Sequence, residues 1–353
     1  MTAAAVNAPV DRDLLRRLPK AELHCHLDGS VRPLTLIQLG AEYGVAMPAS
    51  TPDALAAFML VSDARNLEDY LARFEVTLAV MQTEQALERV AYELAADSAA
   101  DGVRYLEVRY CPALNQRRGL SLGAAVEAPL RGLRRAERDH GIVARVIVTA
   151  LRTQPADQSL ELARLAVAYR RAGVVGFDLA GGEVGNPASR HASAFRHAQA
   201  HDMACTCHAG EGDGAASVRD AVHQCGAHRI GHATRLIDDP SLMDYVADRR
   251  IALEICLTSN VQTRASTSYE AHPFRAYFDR GMNVVLNTDN RLMSGVTLTD
   301  EYAAAASHLG FTIDELCSVA LNGFESGFLP WEERQALIAR VAPEIDAVRT
   351  IGA

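Results

Sequence analysis

Apolar and polar positions follow two rhythms along this chain, and the change of rhythm falls near Gly102. Beyond it, short β-rich runs recur at Val103–Tyr110, Ile142–Ala150, Val174–Leu179, Met203–His208, Arg229–His232, Ile251–Leu257 and Asn283–Asn287. Helical patterns such as Leu160–Ala172 and Ser241–Arg249 separate them. Ahead of Gly102, residues 11–18 read as a short helix stopped at Pro19 and residues 21–26 as a strand. Residues 30–101 then read as helical throughout, with helices opening at Leu34, running from Leu67 to Val80, and running from Leu87 to Ala99. Strands alternating with helices predict a parallel sheet. Eight such strands in a chain of this length predict an α/β fold, a (β/α)8 TIM barrel with a helical insert after strand 1, in preference to an open doubly wound sheet. Helical runs at Ile313–Leu321 and Pro330–Val341 predict extra C-terminal helices that close the barrel.

Composition narrows the class. The chain has 353 residues, 49% of them hydrophobic, enough for one large core or two smaller ones. No Pro- or Ser-rich linker divides it, so residues 11–353 are expected to form a single domain. Residues 1–10 read as a disordered leader, because they lack the basic and long apolar regions of a signal peptide. No run approaches the length of a membrane span. A net charge of -9 without a basic run argues against nucleic acid, whose phosphates need Lys and Arg. Seven cysteines, an odd number scattered through apolar strands, predict reduced thiols and a cytoplasmic protein. Cys205 and Cys207 share a strand face opposite His208 and read as small packing residues, not ligands. Lys20 is the only lysine, which excludes any mechanism needing a lysine elsewhere. Gly210-Glu211-Gly212-Asp213-Gly214 is glycine-rich, but its spacing fits no phosphate-binding loop. Nothing in the sequence specifies an oligomeric state.

The chemistry collects at the strand ends. Strand alternation puts His24 and His26 on one face and Cys25 on the other. Later strands end at Asp178–Glu183, His208–Glu211, Gly231-His232, Thr258–Asn260 and Asn287–Asn290. In a parallel barrel these ends meet at one mouth. An isolated buried histidine is more often a satisfied core residue, but several converging polar ends would each need a buried partner. His24, His26, His208 and Asp289 make a nitrogen- and oxygen-rich set suited to zinc or a similar divalent ion, with room for water. Glu211 and His232 remain as acid/base groups, which points to metal-assisted attack of water on an electrophilic carbon.

The motifs PKAELHCHLDGSVRP (19–33), GFDLAGGE (176–183), CHAGE (207–211), RIGHAT (229–234), LNTDN (286–290) and LNGFESGFLP (321–330) resemble those of the adenosine deaminase family. The resemblance runs from about residue 12 to the C-terminus. It implies one zinc per chain held by His24, His26, His208 and Asp289. It implies that Glu211 bonds purine N1 and protonates it, that His232 orients the attacking water, and that Gly181 offers its N–H to N3. It implies that Asp28 bonds the ribose 5′-hydroxyl and that Leu67–Phe74 form an apolar lid. The implied substrate is adenosine or 2′-deoxyadenosine, within purine salvage.

Three positions depart from the family pattern. Asn290 stands where a second acid is common, Gly182 stands where an acid often follows the strand-4 glycine, and Cys256–Asn260 match loosely. Rival activities are deamination of adenine or of 6-aminodeoxyfutalosine, and Asp28 favours a nucleoside because adenine deaminases carry Glu there. A binuclear amidohydrolase would need a barrel lysine, which this chain lacks. The polynucleotide-type zinc deaminases need Cys-x-x-Cys, which is also absent. The non-enzymatic rival is an idle nucleoside-binding barrel, whose mark would be a lost ligand or a lost Glu211. If Asn290 does not read the purine, it caps the loop that follows.

Overall fold

The structure, a computed structural model, describes residues 10–61 and 73–352. The expected apolar runs form eight strands: β1 (Lys20–His26), β2 (Val103–Tyr110), β3 (Val143–Leu151), β4 (Val174–Ala180), β5 (Ala204–Ala209), β6 (Arg229–His232), β7 (Ala252–Ile255) and β8 (Val284–Leu286). They lie parallel in sequence order, with helices between them, in the predicted barrel. The seam between β8 and β1 closes differently from the rest. β8 has only three residues, and a bridge between Cys25 and Asp289 continues the pairing. Asn287 Oδ1 accepts from the N–H groups of Leu23 (2.7 Å) and His24 (3.1 Å), so a side chain supplies bonds that a longer strand would have made. The helix Ile313–Ser326 packs over this seam, with Gly323 against Ala21 and Val285.

Two boundaries that differ from the sequence reading have a visible cause. β7 stops at Ile255, and Leu257–Gln262 form a short helix instead of more strand. Glu301 explains the switch, because its carboxylate accepts from Thr258 N at 3.2 and 3.3 Å and satisfies a first-turn donor. The last helix runs from Trp331 to Gly352, through Pro343, where the reading ended it at Val341. Val341, Ile345 and Val348 stay buried along one face, so packing overrides the proline. The insert is helical where described, at Pro33–Tyr43, Pro52–Met59, Phe74–Leu78 and Glu84–Ala100. Most of the expected lid, Leu67 onward, and the leader before Val10 lie outside the described residues.

The lower barrel interior is ionic, which the sequence reading did not anticipate. Arg229 reaches Glu254 Oε1 at 2.6 Å and also pairs with Glu107. Arg109 reaches Glu254 Oε2 at 2.8 Å and Asp178 at 3.4 Å. The Phe328 ring lies on the Arg229 guanidinium (3.5 Å), and Phe328 N donates to Glu107 at 2.6 Å, closing the lower end. All seven cysteines are buried and free, as expected for packing residues.

Candidate metal centre and active site

The strand ends converge at the C-terminal mouth as the alternation requires. His24 and His26 leave β1 on the same face, while Cys25 turns away toward Ser30 and Thr288. His26 Nε2 lies 3.1 Å from His208 Nε2, and both His24 Nε2 and His26 Nε2 lie 3.3 Å from Asp289 Oδ1. Two imidazole nitrogens this close, beside a carboxylate oxygen, are arranged to share a cation. The buried His24 Nε2 has no hydrogen-bond partner. Its other nitrogen, Nδ1, donates to Glu254 at 2.9 Å, so Nε2 presents a lone pair to the centre. His208 repeats this plan, with Nδ1 on Asp178 at 3.2 Å. Ser259 donates to the remaining oxygen of Asp289 at 2.6 Å. Three imidazoles and one carboxylate therefore fit a divalent zinc-like ion in number, chemistry and orientation.

His232 also belongs to this group. The metal-capable atoms of His24, His208, His232 and Asp289 all lie within 4.8 Å of one another. Proximity alone thus admits either His26 or His232 as the third imidazole. His232 Nε2 is 3.4 Å from Glu211 Oε2, on the side of the acid/base pair. Both His232 (φ 63°) and Asp289 (φ 59°) hold left-handed backbone conformations, which non-glycine residues adopt at a cost of about 1–3 kcal/mol each. Gly231 makes room for His24, since a Cβ there would sit 2.9 Å from the His24 ring.

Burial dominates the electrostatics. It pushes His26, His208 and His232 below the ordinary imidazole pKa, which keeps them neutral at pH 7. His24 is also driven down by burial and by Arg109, but the neighbouring carboxylates of Asp289 and Glu254 outweigh them and raise it. Asp289 is penalised by burial, yet the surrounding imidazoles hold it well below the usual carboxylate range. Burial lifts Asp28 to about 7.

The predicted site residues His26, Asp28, Gly181, His208, Glu211, His232, Asp289 and Asn290 line one pocket of about 260 Å³, and His24 lies beneath it. Glu211 is positioned by Glu183, whose carboxylate accepts from Gly210 N, Glu211 N and Gly212 N at 2.9, 2.9 and 3.1 Å. That is the structural reason for the final acid of GFDLAGGE. Asn290 packs over Gly29, where a Cβ would collide with its Oδ1 at 1.8 Å. It makes no side-chain cap to the helix it precedes, so the capping alternative does not hold. The sequence reading missed Glu254 and His272, and it named Ser259 and Asn260 at the strand-7 end without a role. Asp178 stood at the strand-4 end without a role, and Glu254 follows the inward alternation of β7, a signal that an acid in an apolar run offers.

A parallel barrel with a buried imidazole–carboxylate cluster at its C-terminal mouth defines a metal-dependent hydrolase. Residues 19–344 match the family model for adenosine deaminase. The chain is 42% identical to adenosine deaminase 1 of Streptomyces coelicolor over 353 residues, covering 95% of this chain and 89% of that one. It is 40% identical to the adenosine deaminase of Mycobacterium avium over 358 residues, covering 95% and 97%. The chain belongs to the adenosine deaminase family. Among solved structures it resembles an adenine deaminase from Arthrobacter aurescens (TM-score 0.86, 27% identity, 93% and 99% covered). It also resembles an amidohydrolase from Burkholderia ambifaria with bound zinc (0.87, 29%, 99% and 97%). The Arabidopsis N6-mAMP deaminase is similar as well (0.84, 28%, 94% and 99%).

Proposed function

We propose that this chain catalyses the hydrolytic deamination of adenosine and 2′-deoxyadenosine to inosine or deoxyinosine and ammonia, in the cytoplasm, for purine salvage. The observation that carries this reading is the convergence of three imidazoles and Asp289 beside Glu211 and His232 on one wall of a small pocket. His24, His26, His208 and Asp289 would hold one zinc ion per chain. Bound there, zinc supplies Lewis acidity that lowers the pKa of water to about 7, making a nucleophile available at neutral pH.

The chain's own groups do the rest. C6 of the purine accepts a nucleophile only as ring N1 gains a proton, and Glu211 donates it. The C6–O bond forms, then the C6–N bond breaks. One proton of the water replaces that given by Glu211, and the other leaves with the amine as ammonia. Gly181 N–H bonds N3, Asp28 the 5′-hydroxyl, and Asn290 Nδ2 the N7 acceptor. A cavity of about 260 Å³ lies at the small end of ligand pockets and suits a nucleoside. No arginine or lysine lines it among the described residues, while Asp28 and Glu75 do.

Absorbance assays with adenosine, deoxyadenosine, adenine and 5′-phosphorylated adenosine, each with and without chelator, test the reading. The two nucleosides should be the best substrates, chelator should abolish turnover, and purified protein should carry close to one equivalent of zinc. Asp289→Ala should lose both metal and activity. Preference for adenine or the nucleotide would overturn the substrate assignment, and two equivalents of metal would overturn the single site.

A further inference from the structure

Behind His232 lies a hydrogen-bond chain unlike those behind His24 and His208. Its Nδ1 faces not a carboxylate but Asn260 Nδ2, at 2.9 Å. Asn260 Oδ1 faces His272 Nε2 at 3.0 Å, and His272 Nδ1 faces the backbone N of Phe274 at 3.1 Å. Side-chain amides and imidazoles can each be turned either way, but a backbone N–H only donates. That one fixed donor orders everything above it. Since Phe274 N–H donates to His272 Nδ1, the His272 proton is on Nε2 and points to Asn260. The Asn260 atom that accepts it is the oxygen, so its NH2 donates to His232 Nδ1. His232 then carries its own proton on Nε2, the nitrogen that faces Glu211 and the centre.

We infer that Asn260 and His272 are positioning residues that lock His232 in the Nε2–H tautomer, making it a hydrogen-bond donor to the reacting groups instead of a fourth imidazole ligand or a base. The type of group behind these three rings sorts them. A carboxylate behind His24 and His208 turns Nε2 lone pairs inward, and the amide behind His232 turns an N–H inward. All three members of the chain, His232, Asn260 and His272, are buried, so water does not compete for these bonds. Burial also drives His272 down to about 3, which keeps it neutral and able to accept from Phe274. The tautomer follows from the structure alone, and its effect on turnover rests on the deaminase reading above.

The test is two-bond ¹H–¹⁵N correlation spectroscopy of ¹⁵N-histidine-labelled, metal-free protein, with His232 assigned through a His232→Gln sample. Wild type should show His232 protonated at Nε2. Asn260→Asp keeps the shape but offers only acceptors, so it should move the His232 proton to Nδ1. With zinc restored, Asn260→Asp should bind about one equivalent and lose roughly tenfold to a hundredfold in kcat, with KM changed less than about threefold. His272→Gln retains a donor toward Asn260 and should keep more activity than His272→Leu. A wild-type His232 protonated at Nδ1, or a tautomer unmoved in Asn260→Asp, would overturn the inference whatever the substrate proves to be. Should Asn260→Asp fail to fold, the wild-type spectrum and the two His272 variants decide the question. Loss of activity on every adenosine substrate with the tautomer as stated would instead count against the deaminase reading.

Discussion

At the lower end of the barrel, Arg229, Glu107 and Glu254 are buried with every charged arm engaged. Glu107 takes bonds from Arg229, Tyr105 and Phe328 N, and Glu254 takes them from Arg229, Arg109, Thr206 and His24. At the mouth, groups of similar burial are left incomplete: His24 Nε2, Asp28 Oδ1 and Asn290 Oδ1 have no hydrogen-bond partner. A buried polar atom without a partner costs about 1–3 kcal/mol. In the lower network only Arg109 Nε is left without a partner, so the lower end largely avoids that cost and serves as scaffold. The mouth accepts it, and its open valences mark where an ion and a substrate complete the bonding. Glu254 joins the two regions, since it is pinned from below by two arginines and holds His24 from behind.

The difference predicts opposite behaviour for variants at the two ends. Glu211→Gln keeps size and removes the transferable proton, so kcat should fall by roughly 10²–10⁴ while zinc content and unfolding midpoint stay near wild type. Near-normal turnover would require another donor to N1. Glu107→Gln removes one partner of a buried ion pair, and denaturant unfolding should report a loss of about 3–5 kcal/mol. Its kcat, measured where it is folded, should remain within about threefold of wild type. A catalytic defect without a stability defect would break the division into scaffold and site.

A smaller effect is expected at Glu301, behind the helix that carries Ser259 and Asn260. Burial, with Asp300 adding to it, raises this carboxyl from 4.5 to about 7, against the opposing bonds from Thr258 and Leu257 N. Between those values the native chain holds more protons than the unfolded chain, so stability falls as pH rises through that window. The cost is largely absent near pH 4.5 and complete above about 7. Glu301→Gln should therefore gain on the order of 1–3 kcal/mol over wild type near pH 8, and little near pH 4.5. Equal gain at both pH values would show that the carboxyl is not the source. The smallest effect belongs to Asn290. Wild type should bind a purine nucleoside inhibitor roughly three- to tenfold more tightly than its 7-deaza counterpart, the value of one neutral hydrogen bond. Asn290→Ala should bind both about equally while staying folded and metal-loaded, and a preference that survives the mutation would remove Asn290 from N7.

Local pattern was enough for the barrel, because strand and helix periods are properties of neighbouring residues and parallel pairing follows from their alternation. It was enough to bring His24, His26, His208, Glu211, His232 and Asp289 to one mouth as well, since each stands at or just past the end of a strand whose direction the fold dictates. Local pattern failed where one segment's conformation depends on a distant side chain. The helix at Leu257–Gln262 needs Glu301, and the β8 seam needs Asn287 beneath β1. The same limit applies to the histidines themselves. Sequence supplies an imidazole with two nitrogens, and it does not say which one carries the proton. That is decided by what stands behind the ring: Glu254 for His24, Asp178 for His208, and Asn260 with His272 for His232. These partners are 12 to 230 residues apart in the chain, and only tertiary packing brings them within hydrogen-bond distance.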